Sequence, residues 1–233
     1  MSSFAPNATA VLVHGAWADG SCWQNVIVPL RKEGLQVACA PIPLTSLTED
    51  IAALERVLER TGGPAVLVGH AYGGAVIAGA NDARVRSLVY IAALAPDEGE
   101  TTADVFYRAK PHPEAPQLKP DAHGLIWMPE GGFAHAVAHE ASADQTAVLQ
   151  AVQRPIAVKC IQEKAPAPAW RTRPSWFLLA EKDRMIAPET QRYMAERMGA
   201  AIRTCDVDHT PMHTAPDAVV RVILEAAQQT LAC

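Results

Sequence analysis

Short apolar segments alternate along this chain with segments that have the periodicity of amphipathic helices. Residues 8–13 and 64–68 are almost entirely apolar and rich in valine and leucine. Between them, apolar residues recur with the spacing of one helix face: Trp23, Val26, Ile27 and Leu30. Parallel strands that are covered on both faces have this continuous apolar character. The alternation therefore predicts an α/β fold with a mostly parallel central sheet flanked by helices.

The same alternation extends the prediction over most of the chain. The further predicted strands are residues 35–40, 85–94, 175–180 and 201–207. The further predicted helices are residues 51–58, the segment after Gly74, and residues 188–198 and 216–231. Gly34 follows the first helix, and Gly62 and Gly63 follow the second, as is usual where a helix ends.

The alternation is interrupted between residues 96 and 168. This segment contains nine of the 18 prolines, has no clear strand and shows helical patches at residues 133–139 and 144–152. A segment of this length cannot be a bare loop within a compact domain. We therefore predict a single domain over residues 1–233, with residues 96–168 inserted after the fourth strand as a helical cap over the strand ends.

Charge and composition restrict the class of partner. The net charge is −5, from 20 Lys and Arg against 25 Asp and Glu, and neither sign forms a long run. This argues against nucleic-acid binding and against a polybasic membrane patch. The amino terminus lacks a basic segment followed by an apolar one, and no apolar stretch approaches the roughly 18 residues of a membrane span. We predict a cytoplasmic monomer or homodimer whose partner is a small-molecule substrate.

The cysteines predict free thiols in a reducing compartment. They are odd in number and widely spaced, without a C-x-x-C pair: Cys22, Cys39, Cys160, Cys205 and Cys233.

Polar residues cluster where the predicted strands end. Residues 14–17 and 69–73 follow the first and third strands, and residues 181–183 and 208–209 follow the last two. Ligands bind at the carboxyl ends of the strands in open parallel sheets. These four segments are therefore the predicted functional site.

The segment Gly69-His70-Ala71-Tyr72-Gly73 has the strand-turn-helix context of the nucleophile elbow G-x-S-x-G, with alanine at the central position. Other motifs fall in the same order along the chain: His-Gly-Ala at 14–16, Ala-Leu-Ala-Pro-Asp at 93–97, a late Asp183 and a final His209. On these residues the sequence resembles the α/β-hydrolase superfamily. Within it, the sequence is similar to small esterases related to plant methyl-ester hydrolases and hydroxynitrile lyases.

The resemblance implies a role for each matching residue. His209 corresponds to the general base, and Asp183 to the carboxylate that fixes its tautomer and stabilises its charged form. The backbone N–H groups of Ala16 and Tyr72 correspond to the oxyanion hole. We expect neither a cofactor nor a metal. The resemblance implies that the elbow residue Ala71 adopts an unfavourable backbone conformation.

Alanine at position 71 departs from the family pattern, because a methyl group has no lone pair and cannot form an acyl-enzyme. Three interpretations remain open. The chain is a hydrolase whose serine was replaced, or a natural enzyme that uses a His209–Asp183 dyad to move protons or activate water, or a binding module without activity. We expect the protein to act on or bind a small, largely apolar carbonyl compound, with an ester as the first choice.

Five residues are candidates for an apolar substrate pocket under the cap: Trp17, Phe106, Tyr107, Trp127 and Met128. Packing against the sheet is the equal alternative for each of them.

Several polar residues close to these motifs are assigned other roles. We expect His14 to brace the oxyanion loop, His70 to point away from the site as a packing histidine, and the carboxylate of Asp208 to diverge from His209. Cys22 and Ser21 are weak candidates for a replacement nucleophile, and His213 is expected to cover or tune the catalytic loop. His135 and His139 have the spacing of metal ligands on a helix, but no third ligand accompanies them.

Overall fold

All six strands predicted from the apolar runs lie in one parallel sheet. The computed structural model describes residues 4–232, so Cys233 lies outside the described residues. The strands are β1 (Thr9–Val13), β2 (Gln36–Ala40), β3 (Ala65–His70), β4 (Val85–Ile91), β7 (Ser175–Ala180) and β8 (Ala201–Cys205). Their order across the sheet is β2-β1-β3-β4-β7-β8, and every pair is parallel. The carboxyl ends of all six strands therefore meet at one edge.

Helices cover both faces of this sheet. The helices outside the insertion are α1 (Gln24–Lys32), α2 (Leu47–Thr61), α3 (Gly73–Gly79), α7 (Pro188–Arg197), α8 (Pro211–Thr214) and α9 (Pro216–Leu231). The side chain of Ser46 caps α2 by accepting from the Glu49 amide, and Gly62 ends this helix with a φ of 69°. The short helix α8 was not predicted.

Successive strand residues pack into two separate cores. In β1, Ala10 and Leu12 pack on the side of α1 and α9, whereas Val11 and Val13 pack on the side of α2, α3 and α7. This is the alternation expected of a strand that is buried on both faces. It explains why the sequence of β1 is apolar throughout and not apolar at every second position.

The inserted segment (residues 96–168) contains more regular structure than the sequence predicts. It holds α4 (Thr102–Phe106), α5 (Ala143–Val152), α6 (Val158–Gln162), a π-helical turn (Phe133–Val137), and two antiparallel strands, β5 (Leu125–Ile126) and β6 (Ile156–Ala157). The expectation of no strand in this segment is wrong. Strands of two residues have no measurable periodicity, and β5 finds its partner about thirty residues later in the chain.

The cysteines and the helices bear on two further predictions. The four cysteines within residues 4–232 are free thiols. No helix in this part of the chain combines the length and the apolar character that crossing a bilayer requires.

Candidate active site

The turn between β3 and α3 places Ala71 above the edge of the sheet. Ala71 has a φ of 48°, the strained conformation expected for an elbow residue. The flanking glycines make this turn possible, because a Cβ on Gly69 would lie 2.6 Å from the Gly73 carbonyl oxygen and a Cβ on Gly73 would lie 2.6 Å from that of Val13. The backbone therefore retains the geometry of a nucleophile elbow although its central side chain is a methyl group.

His209 and Asp183 meet although 26 residues separate them in sequence. Asp183 follows β7 and His209 follows β8, so neighbouring strands deliver both residues to the same edge. Nδ1 of His209 donates to Oδ2 of Asp183 at 2.7 Å, and both side chains are buried. Because this bond occupies Nδ1, the free ring nitrogen of His209 is Nε2.

Three further donors hold the Asp183 carboxylate. Oδ1 accepts from the backbone amides of Met185 at 2.7 Å and Ile186 at 2.8 Å, and Oδ2 accepts from Nε2 of Gln191 at 2.7 Å. Gln191 was not predicted. The only signal for it is that Gln191 and Met194 share the buried face of α7. The carboxylate is fully hydrogen-bonded in a buried position, which fixes its orientation towards His209.

His70 lies against His209, which corrects the expectation that it points away from the site. The two ring centroids are 4.8 Å apart, and Nε2 of His70 donates to the backbone oxygen of His209 at 2.8 Å. Burial lowers the pKa of His70 well below its usual value, and the neighbouring His209 lowers it further. His70 is therefore a neutral donor that supports the loop carrying His209.

His14 braces the loop after β1. Its Nδ1 donates to the carbonyl oxygen of Gly15 at 2.9 Å, and its Nε2 lies 3.5 Å from Nη1 of Arg154. A guanidinium can only donate, so Nε2 of His14 is the acceptor in this contact. Burial lowers the pKa of His14 to about 4, which agrees with a neutral imidazole in both contacts.

The lowered pKa of His14 predicts a loss of stability in acid. The unfolded chain takes up a proton near pH 6.5 and the folded chain only near pH 4, so stability is retained above pH 6.5 and falls as the pH drops towards 4. His14 alone is expected to remove about 2 kcal/mol of unfolding free energy between pH 8 and pH 5. Urea unfolding at both pH values measures this loss.

The control for this measurement is His14→Asn, whose side-chain amide can still donate to Gly15. His70 contributes to acid instability in both proteins, so the difference between them isolates His14. The asparagine variant is expected to lose about 2 kcal/mol less than the unmodified protein over the same pH interval. Equal losses in the two proteins would contradict the assignment.

Ala16 and Tyr72 line the same cavity as Ala71 and His209. No hydrogen bond between described residues uses the backbone N–H group of Ala16 or Tyr72. The phenol of Tyr72 points elsewhere, because its Oη donates to a carboxylate oxygen of Asp50 at 2.7 Å. Tyr72 therefore contributes its backbone, and not its hydroxyl group, to the cavity.

The cavity has a volume of about 320 Å³ and lies between the strand ends and the inserted segment. Of the five predicted pocket residues, Trp17, Phe106 and Tyr107 line it. Nε1 of Trp17 also donates to the carbonyl oxygen of Ile126 at 2.9 Å, which joins the loop after β1 to the inserted segment.

Trp127 and Met128 do not line this cavity, contrary to expectation. Ile126 faces the cavity, and consecutive residues of an extended segment point in opposite directions. The side chain of Trp127 therefore lies at the surface, where Nε1 donates to Asp121 at 3.2 Å. Met128 is buried within the inserted segment against Phe133 and its neighbours.

The four other polar residues considered near the site differ in their surroundings. Cys22 lines the cavity, but burial raises the pKa of its thiol well above the usual value, so it is not an activated nucleophile. Ser21 is exposed and does not line the cavity. Asp208 diverges from the imidazole, because its carboxylate accepts from Thr210, Thr214 and the Glu140 amide. His213 lines the cavity.

The side chains of His135 and His139 differ in environment. His135 is exposed, and His139 is half-buried beyond the end of the π-helical turn. Within residues 4–232, no three potential metal ligands lie together.

Comparison with known proteins shows which family has a sequence of this kind. The sequence model of the Alpha/beta hydrolase family matches residues 10–222. The chain belongs to this family. A carbendazim hydrolyzing esterase of Nocardioides is 34% identical over 45% of this chain and 49% of that protein. Methylesterase 3 of Arabidopsis thaliana is 25% identical over 94% of this chain and 95% of that protein. This alpha/beta hydrolase therefore has esterases among its relatives.

Solved structures show the same fold at low sequence identity. Polyneuridine aldehyde esterase superposes with a TM-score of 0.81 and 16% identity, over 94% of this chain and 99% of that structure. The pyrethroid hydrolase PytH superposes with a TM-score of 0.79 and 19% identity, over 94% of this chain and 97% of that structure. The α/β-hydrolase fold predicted from the sequence is confirmed.

Proposed function

We propose that this alpha/beta hydrolase acts on a small, uncharged, largely apolar carbonyl compound, and that His209 transfers a proton without a covalent intermediate. The observation that carries the proposal is the combination of a buried, fully supported His209–Asp183 pair with an elbow residue, Ala71, that has no oxygen. General acid–base chemistry requires such a histidine–carboxylate pair. Acyl transfer requires a nucleophile, which position 71 does not offer.

The proposed chemistry uses the two free amides together with the histidine. The substrate carbonyl oxygen accepts from the N–H groups of Ala16 and Tyr72. Nε2 of His209 removes a proton from the carbon next to the carbonyl, and the electron pair of that C–H bond moves to form an enolate. The amides stabilise the negative oxygen, and Asp183 offsets the positive charge on the imidazolium. Return of the proton from Nε2 completes the cycle.

The lining of the cavity supports an uncharged substrate. None of the described residues around it is Asp, Glu, Lys or Arg, and most of the side chains are apolar. A carboxylate or ammonium group that entered would lose its hydration without gaining a partner of opposite charge. A neutral ester or ketone loses little on entering, and its carbonyl oxygen gains the two amide donors.

Ester hydrolysis is the second candidate. It is supported by the names of the relatives, which include a carbendazim hydrolyzing esterase and methylesterases, and by the elbow strain at Ala71. In this case His209 would activate a water molecule in place of a serine. Losing one member of a triad leaves about 10³ to 10⁴-fold catalysis over water in other hydrolases, so the expected turnover is slow.

Hydrogen–deuterium exchange at carbon tests the first proposal directly. The protein is incubated in D₂O with phenylacetone or methyl phenylacetate, and loss of the proton signal next to the carbonyl is followed by NMR. We expect His209→Gln to slow the protein-dependent exchange by about 10² to 10⁴-fold. Circular dichroism shows whether the variant is folded.

Phenylacetate is the matched anion for this experiment, and it is expected to exchange no faster with the protein than without it. Exchange that survives unchanged in His209→Gln would contradict the role of the histidine. Saturable binding of the neutral compounds with neither exchange nor hydrolysis would instead identify a silent binding module.

A further inference from the structure

Asp50 is a buried carboxylate that the proposed chemistry does not use. It lies in the first turn of α2, and its side chain is completely buried. No cation forms an ion pair with it among the described residues. A carboxylate in such a place is costly unless neutral donors and the amino-terminal end of a helix stabilise it.

Three donors from three segments converge on this carboxylate. Oη of Tyr72 donates to Oδ2 at 2.7 Å, and the amide of Leu44 donates to Oδ1 at 2.7 Å. Sγ of Cys160 lies 3.6 Å from Oδ2 as a weaker donor. Tyr72 belongs to the elbow, Leu44 to the loop after β2, and Cys160 to α6 of the inserted segment.

Leu44 extends the connection to the inserted segment. Its φ is 63°, and its carbonyl oxygen accepts from the amide of Ala157 in β6 at 3.0 Å. Asp50 therefore joins the elbow, the loop after β2 and the inserted segment at one point.

We infer that Asp50 is a positioning residue that orients the backbone amide of Tyr72 towards the substrate oxygen. The inference rests on the proposed function of that amide. Tyr72 follows Ala71, whose strained φ persists only where its surroundings hold it. A tyrosine side chain has few torsions, so fixing its hydroxyl group limits rotation of the peptide to which the ring is attached. The bond to Asp50 thereby limits the directions in which the Tyr72 N–H can point.

An NMR experiment tests the link without any need for activity. The chain has four tyrosines, so selective ¹⁵N-tyrosine labelling gives four amide signals, and Tyr72→Phe identifies the signal of residue 72 by its disappearance. In the protein with alanine at position 71, Asp50→Ala is expected to shift or broaden the Tyr72 amide signal more than the other three. An unmoved Tyr72 signal would overturn the inference.

Kinetics test whether the link matters to the reaction. In the Ala71→Ser background, Asp50→Ala and Tyr72→Phe are each expected to lower kcat on p-nitrophenyl butyrate by about 10- to 100-fold, since misplacing a reacting group by about 1 Å costs up to about 100-fold. KM is expected to stay within about twofold. The double variant is expected to be no slower than the slower single variant, because both substitutions break the same bond.

Ser87→Ala is the matched control. Ser87 is also completely buried, and its hydroxyl bonds to that of Thr230 at 2.9 Å, but it lies on β4 away from the cavity. We expect Ser87→Ala to leave both kcat and the Tyr72 signal unchanged. Equal kcat losses in Ser87→Ala and Asp50→Ala would show that Asp50 acts only through general stability and would overturn the inference.

The two measurements separate failure of the inference from failure of the proposed function. If the Ala71→Ser protein hydrolyses no ester, the proposed role of the two amides fails, whereas a shifted Tyr72 signal still supports the link to Asp50. If the serine protein is active and Asp50→Ala leaves its kcat unchanged, the inference fails and the proposed function stands.

Discussion

Ala71→Ser is expected to raise ester hydrolysis by about 10³-fold or more. The substitution adds one hydroxyl group to a residue whose backbone already has the elbow conformation, with a φ of 48°. Nε2 of His209 is free to accept the new hydroxyl proton, because Nδ1 donates to Asp183 at 2.7 Å. Removal of the serine from an intact triad elsewhere costs about 10⁶ in turnover, so restoring it is expected to recover a large part of that factor.

The measurement is the release of p-nitrophenol from p-nitrophenyl acetate and butyrate by both proteins. A rapid initial release equal to the enzyme concentration, followed by a slower steady rate, would show that an acyl-enzyme forms. The control is Ala71→Ser combined with His209→Ala, which keeps the hydroxyl group and removes its base. We expect this double variant to return to the activity of the alanine protein.

A folded serine variant that hydrolyses esters no faster than the alanine protein would contradict the proposed placement of His209 and of the two amides. If the serine variant gains hydrolysis and loses the proton exchange of the alanine protein, the two activities use the same carbonyl site. The pair of assays therefore connects the chemistry of this chain with that of its esterase relatives.

The sequence predicts the central sheet and most of its flanking helices, because these elements have a regular local periodicity. The six strands and the helices α1, α2, α3, α7 and α9 were predicted to within a few residues, because β-branched runs and helical spacing extend over whole elements. The elbow was predictable for a different reason. The glycines at 69 and 73 stand where a Cβ would collide with backbone oxygens, so the sequence itself carries that steric requirement.

The residues that the sequence did not reveal act through side-chain contacts between separate elements of the fold. Gln191 contacts Asp183 from a helix whose sequence indicates only amphipathic packing, and Asp50 reaches Tyr72 across 22 residues. The pocket assignments of Trp127 and Met128 failed because they depend on the direction of side chains beside a two-residue strand. Such directions are set by tertiary pairing, which periodicity does not report.

Asp183→Asn is expected to lower kcat/KM of the Ala71→Ser protein by about 10⁴-fold. The carboxylate of Asp183 receives four donors, from two backbone amides, Gln191 and Nδ1 of His209. An asparagine has one acceptor oxygen. If that oxygen keeps the two backbone amides, the NH₂ group replaces Oδ2 and faces both Gln191 and the imidazole. The imidazole can relieve the clash by moving its proton from Nδ1 to Nε2. Nε2 then cannot accept the proton of the serine.

Asp208→Asn provides a matched control at the next buried carboxylate. Asp208 is also completely buried and directly precedes His209, and its four donors include the hydroxyl groups of Thr210 and Thr214. Hydroxyl groups can rotate to accept from an amide, and none of these donors is the imidazole. Asp208→Asn is therefore expected to lower kcat/KM by less than about 10-fold.

Steady-state kinetics and urea unfolding of the two variants together separate the role of the imidazole from that of the loop. Each variant leaves buried donors poorly paired, so each is expected to lose about 1 to 3 kcal/mol of unfolding free energy. If the two variants lose activity equally, the effect of Asp183 acts through the stability of the histidine loop. If only Asp183→Asn loses about four orders of magnitude, Asp183 acts by fixing the protonated nitrogen of His209, which is what general base chemistry at Nε2 requires.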